Sequence, residues 1–192
     1  MKILVFDIFG DYAHFRKYYT TTSPLTFSFP PPPTIAGILG AIYGTPKSEN
    51  LKIFGYDHCK VALRILNPVK KIRMGVNLIN TKQNKYFMLF KAKNHEPRIQ
   101  IRTEFLKLPK YRIYVIHKDE KIFRELTELI KAHKSFYTVS LGLSELIANF
   151  NFVGLYESKE IKNFEACINT VIPISKLIEK GIIIEPDRKY FK

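Results

Sequence analysis

The chain has 192 residues, 46% of them apolar, which is enough to bury a core as one domain and excludes global disorder. Lysine and arginine number 31 against 17 acidic residues, a net charge of +14, which points to a polyanionic partner: nucleic acid first, an anionic membrane surface second. Two cysteines, Cys59 and Cys167, far apart and in no CxxC, exclude a disulfide framework and suit a reducing cytoplasm.

Residues 2–9 form an apolar run of strand length, with Leu4, Phe6 and Ile8 on one face and Ile3, Val5 and Asp7 on the other. Asp7 interrupts that run, and no small-residue cleavage site follows, so the start does not read as a secretory leader. Residues 11–33 hold no convincing element and finish in Pro30–Pro33. Residues 18–46 lack charged side chains, yet their prolines leave about 12 residues of continuous helix, short of the roughly 20 a bilayer needs. Thr34 is expected to cap a helix of about ten residues, IAGILGAIYG, that stops near Gly44 and Pro46. Gly37, Gly40 and Gly44 share roughly one face of it, which suggests close packing on a sheet.

Residues 60–66 read as a second strand. Residues 72–80 and 85–92 are β-like and joined by a polar turn, which predicts a hairpin. In residues 98–106, Ile99, Ile101, Thr103 and Phe105 alternate with Arg98, Gln100, Arg102 and Glu104, so the two sets take opposite faces of a strand. Residues 111–117 are a further strand. Asp119 then caps a helix whose apolar stripe is Ile122, Phe123, Leu126, Leu129 and Ile130. Residues 149–156 suit another strand, and residues 175–180 a short helix before an apolar run at 182–184. The order is β-α-β, a basic β-hairpin insertion, then β-α-β. It predicts an α+β, ferredoxin-like domain over residues 1–156 with an insertion at about 68–97, and a small β-rich C-terminal extension, 157–192, packed on it.

The charge is concentrated. Residues 60–112 carry 14 basic residues against Glu96 and Glu104. Cations in strand-like sequence with aromatics between them favour nucleic acid. Catalytic and metal-binding patterns do not emerge. None of the five histidines forms HxxxH or HExxH, and SLGLSEL lacks the GxSxG elbow. A metal-free ribonuclease has no spacing signature and stays open on this ground. No cofactor and no metal are expected.

Three segments in order carry a resemblance: FRKYYTTTSPLTFSFPPPPTIAGILGAIYG at 15–44, RTEFLKLPKYRIYV at 102–115 and SLGLSEL at 140–146. Across roughly residues 2–156 the chain resembles the CRISPR-associated Cas-five family, subunits of the RAMP superfamily in type I Cascade effector complexes. The resemblance implies a ferredoxin-like domain with a β-hairpin thumb, a role capping the 5′ handle of crRNA, and contacts with the RAMP backbone subunit and the large subunit. In one subtype the family member is the endoribonuclease that cuts repeat RNA, with a tyrosine shortly before the Pro-Ser/Thr helix start. Phe27 stands at that position here, which argues against the nuclease role.

The candidate RNA-binding residues follow from both arguments. Lys70, Lys71, Arg73, Lys82 and Lys85 on the thumb would track phosphates, with Met74, Phe87 and Phe90 available to wedge or stack. The helix start at Thr34 would offer backbone N–H groups to a phosphate, with Arg16 and Lys17 closing over it and Tyr18 and Tyr19 stacking on a base. Arg98, Gln100 and Arg102 would form a polar stripe. A non-catalytic guide-RNA-binding subunit is the leading expectation. A repeat-cutting endoribonuclease and a non-specific basic adaptor are the alternatives.

Overall fold

A computed structural model describes residues 1–20, 22–80, 97–159 and 168–172. Four strands build the central sheet: β1 (Lys2–Gly10), β3 (Cys59–Ile65), β6 (Lys110–His117) and β7 (Ala148–Glu157). Their order is β3-β6-β1-β7, and every neighbouring pair is antiparallel. Two crossovers connect it. One runs from β1 to β3 through α1 (Pro32–Tyr43) and α2 (Asn50–Phe54), the other from β6 to β7 through α3 (Glu120–Lys131).

Alternation along the strands decides what is buried. Leu4, Phe6 and Ile8 of β1 and Tyr111, Ile113 and Val115 of β6 join the core with Ile35, Leu39 and Ile42 of α1 and Phe123, Leu126 and Ile130 of α3. Both helices therefore cover one face of the sheet. The Tyr43 hydroxyl links them by donating to Glu125 Oε2 at 2.7 Å, and this bond holds the phenol protonated, its pKa raised to about 12. Asp119 caps α3 as expected, accepting from the N–H groups of Lys121 and Ile122. The Ile122 N–H is the chief cause of a carboxyl pKa below the usual carboxylate range.

α1 starts differently from the sequence reading. Thr34 is not its cap: the N-cap is Pro31, with no side-chain cap bond, and Pro32 and Pro33 form the first helical positions. Proline presets the helical φ and has no N–H to satisfy, so the helix begins three residues early without a capping side chain. Its end is as expected, with Gly44 left-handed at φ 95° and its N–H on the Gly40 carbonyl. Gly40 does not pack on the sheet; the place of its missing side chain is taken by Asn50 of α2, a short helix the sequence reading did not contain.

A second sheet of three antiparallel strands has the order β2-β5-β4, with β2 (Tyr12–Ala13), β4 (Lys71–Ile79) and β5 (Arg98–Lys107). Among the described residues, the partner of residues 72–80 is β5. β4 pairs with β5 along its whole length, from Lys71↔Leu106 to Ile79↔Arg98, in a register that sets Ile72, Val76 and Leu78 against Phe105, Ile101 and Ile99, and Arg73 and Asn77 against Glu104 and Gln100. Residues 85–92, expected as that partner, lie outside the described residues, as do the helix and apolar run expected after 174. Among the described residues no helix is long and apolar enough to cross a membrane.

β5 and β6 are nearly continuous in sequence yet belong to different sheets. Leu108, at φ 50°, makes the corner between them; its N–H donates to Asp11 O and its carbonyl accepts from Asn67 Nδ2. The SLGLSEL segment forms a second anchor. The Leu141 carbonyl accepts from the His14 N–H, and Gly142, at φ 104°, lies so close to the His14 carbonyl that a side chain would collide with it.

Gly142→Ala should therefore lower stability in urea by about 1–3 kcal/mol. Gly37→Ala has nothing within 4 Å of the added methyl, so it should stabilise α1 by roughly 0.5–1 kcal/mol. Equal midpoints for the two variants would contradict this account.

Candidate nucleic-acid interface

The register of the β4–β5 ribbon separates its chemistry by face. Ile72, Met74, Val76 and Leu78 oppose Phe105, Thr103, Ile101 and Ile99 on one side. Arg73, Asn77, Arg98, Gln100 and Arg102 lie on the other, together with Glu104. The stripe Arg98, Gln100 and Arg102 is exposed and stands as expected on one strand face. Gly75 sits opposite Arg102, and the Gln100 side chain fills the room its missing Cβ leaves. Met74 belongs to the apolar face and does not accompany Arg73. Described residues of the ribbon and its flanks, 68–80 and 97–107, hold six lysines and arginines against Glu104.

Glu104 is the functional residue that sequence reasoning missed. Its alternation places it among exposed polar residues, yet its side chain is 11% exposed. Oε1 accepts from the Thr26 N–H at 3.2 Å and from Lys71 Nζ at 3.2 Å, while Arg73 Nε stands 3.8 Å from Oε2. Lys71 also donates to the Thr26 carbonyl, and the Glu104 N–H donates to Pro24 O. Residues 24–26 are thereby fastened to the root of the ribbon. The signal was a lone acid in a basic strand, which reads equally well as a solvated side chain.

The fastened loop carries the other candidates. Arg16 bridges to Thr26 through the backbone and donates from Nη2 to Thr20 O. Lys17 Nζ lies 5.7 Å from the ring centroids of both Tyr19 and Phe27. Tyr18 is 89% exposed and meets Tyr19 edge-on at 5.2 Å. Arg16, Lys17, Tyr18 and Tyr19 thus share one loop, fastened beside Lys71 and Arg73; Lys70 is exposed just before β4. Lys82, Lys85, Phe87 and Phe90 lie outside the described residues.

The α1 start does not join this set as a phosphate cradle. Pro31, Pro32 and Pro33 supply no N–H, and those of Thr34 and Ile35 both donate to the Pro31 carbonyl. The proline run that starts the helix also removes the donors an anion would need.

Two histidines are buried in backbone bonds. His14 Nδ1 donates to the Glu104 carbonyl at 2.7 Å. His117 Nε2 donates to Ile53 O at 2.9 Å, while its Nδ1 accepts from the Asp119 N–H at 3.0 Å. Phe27 is half-buried against the core and offers no hydroxyl. Burial pushes the Cys59 thiol up to about 12, well away from a nucleophile's range.

The family model of the CRISPR-associated protein (Cas_Cas5) matches residues 3–187. The chain belongs to the Cas5 family. No curated protein matches this Cas5 chain. Its fold is similar to that of a chain from a CRISPR RNA-guided surveillance complex, with a TM-score of 0.53 at 13% identity, covering 76% of this chain and 59% of that one. It is also similar to a chain from the type III-B Cmr-beta complex bound to cognate target RNA and AMPPnP, with a TM-score of 0.50 at 13% identity, covering 85% and 66%. The chain spans about three fifths to two thirds of the length of these two.

Glu104→Ala should cost about 1–3 kcal/mol, because it strands the Thr26 N–H and the Lys71 ammonium together. Lys71→Ala should cost less, since Glu104 keeps its bond from the Thr26 N–H. Urea midpoints check the order, and proteolysis near residue 20 should accelerate more in the Glu104 variant.

Proposed function

We propose that this Cas5 chain is a non-catalytic RNA-binding subunit of a Cascade-type CRISPR effector complex acting in antiviral defence in the cytoplasm. It holds the 5′ handle of crRNA and contacts the RAMP backbone subunit and the large subunit. In this reading the central sheet and its two crossovers are the ferredoxin-like RAMP domain, with the β4–β5 ribbon as its thumb. The strand order and antiparallel pairing support that description. Of the extension expected over residues 157–192, residues 160–167 and 173–192 lie outside the described residues.

The observation that carries the reading is the exposed basic face of the ribbon, with Arg73, Arg98, Gln100 and Arg102 in one stripe, beside a loop bearing Arg16, Lys17, Tyr18 and Tyr19. Cations follow a phosphate backbone without proton transfer, and exposed tyrosines stack on bases. Family membership and the likeness in fold to chains of an RNA-guided surveillance complex and of a Cmr-beta complex bound to target RNA agree with it. Of Lys70 and Lys71, Lys70 is the better phosphate ligand, since Lys71 is engaged by Glu104. The non-catalytic part is supported by the backbone bonds of His14 and His117 and by the phenyl ring at 27.

Changing Arg73, Arg98 and Arg102 together to Ala should flatten the slope of log affinity against log salt by about 2, at roughly 0.7 per lost single-strand contact. Excess protein incubated with labelled repeat RNA in EDTA should leave it uncut. A single specific product at the handle boundary, lost on changing His117, Tyr18 or Tyr19, would replace this reading with the endoribonuclease one.

A further inference from the structure

The face of the central sheet opposite the helices carries its own pattern. Register aligns Arg64 of β3, Arg112 of β6, Asp7 of β1 and Asn151 of β7 in one row across all four strands. Arg112 grips Asp7 through two bonds, Nε to Oδ1 at 2.7 Å and a terminal nitrogen to Oδ2 at 3.1 Å. Asp7 is the only acid on this face among the described residues, and Arg112 neutralises it. Arg64 and Lys60 remain exposed on β3, and Lys110 Nζ lies 5.7 Å from the Phe9 ring centroid. The face is therefore net basic.

Aromatic rings lie among these cations. Tyr114 is half-exposed one row from Arg112, opposite Val5. On β7, Gly154 opposes Val5 from the other side, and the Tyr156 ring occupies the space a side chain at 154 would fill. The ring is thus laid back over the sheet while 54% of the residue stays exposed. Phe9, Tyr114 and Tyr156 stand on three adjacent strands, β1, β6 and β7. Rings and a guanidinium plane for bases, with cations for phosphates, fit an unpaired polynucleotide.

We propose that this open sheet face is a second single-stranded RNA surface, distinct from the ribbon and its loop, on which bases stack on Tyr156 and Tyr114 while Arg64, Lys60 and Lys110 meet phosphates. The proposal rests on the RNA-binding reading above. It adds a path across the body of the domain, so the bound strand is not confined to the ribbon.

The test uses the full chain and a short fluorescent oligouridylate, by anisotropy. Tyr156 and Arg64 are exposed, so Tyr156→Ala with Arg64→Ala should keep the melting temperature. That pair should weaken binding roughly tenfold, in line with the loss of one stacked base and one phosphate contact. Tyr156→Phe should retain affinity, because the ring and not the hydroxyl does the stacking. Ultraviolet cross-linking should place uridine adducts on peptides containing Tyr114 or Tyr156. Unchanged affinity in the Tyr156/Arg64 variant, beside a clear loss in the Arg98/Arg102 variant, would overturn this proposal and leave the ribbon reading standing. Absence of oligouridylate binding by the wild-type chain would sink both. Protein cross-links at Tyr156 in the assembled complex, with no RNA adducts, would assign the face to a subunit contact and also overturn the proposal.

Discussion

The carboxylate of Glu104 holds together parts that no strand ladder connects. It accepts from the Thr26 backbone and from Lys71, and its own N–H reaches Pro24, so an irregular loop is clamped to the root of the basic ribbon. In a strand so rich in cations, a single buried acid is worth more than its Coulomb energy in water, because it also satisfies a backbone donor that would otherwise be stranded. The position of Arg16, Lys17, Tyr18 and Tyr19 beside Arg73 follows from that clamp. The Leu108 corner makes the clamp possible by turning the chain from the core sheet into the ribbon within two residues.

The excess positive charge is therefore divided between surfaces of different character. The ribbon is a projecting two-stranded element whose polar face is cationic and whose other face is apolar. The open sheet face is rigid by comparison, since its central row is locked by the Asp7–Arg112 pair. That pair keeps the guanidinium charged, its pKa raised chiefly by the bond to Asp7.

The same side chains can serve both structure and binding. Lys71 reads in the sequence as a phosphate ligand, but its ammonium is shared between Glu104 and the Thr26 carbonyl. His117 reads as a strand end, and both its ring nitrogens bond to the backbone. Phe27 packs under Lys17. Residues that look reactive by type are committed to holding the fold, while Arg98 and Arg102 on the ribbon, Lys70 at its root and Arg64 and Lys60 on the sheet stay exposed.

Much of this was legible in one dimension. The alternation of Leu4, Phe6 and Ile8, the Asp119 cap, the Gly44 stop and the polar stripe of Arg98, Gln100 and Arg102 are local patterns with periods of 2 or 3.6, and they survive folding because neighbours along the chain dictate them. The concentration of charge at 60–112 and the family resemblance were legible for the same reason. What pairs with what was not. The pairing of residues 72–80 with 98–106 was not readable from their separate alternations, because register is set only where the two strands meet. Thr34 looked like a cap until three consecutive prolines started the helix earlier and removed its phosphate donors. Glu104, Asp7 and Arg112 are single charges in sequence, and they become a clamp and a lock only where the sheet brings residues about 80 and 105 positions apart within hydrogen-bond reach. Local periodicity is written in the chain, but the partner of a buried charge is decided by tertiary packing, because its energy depends on desolvation that exists only after the sheets have formed.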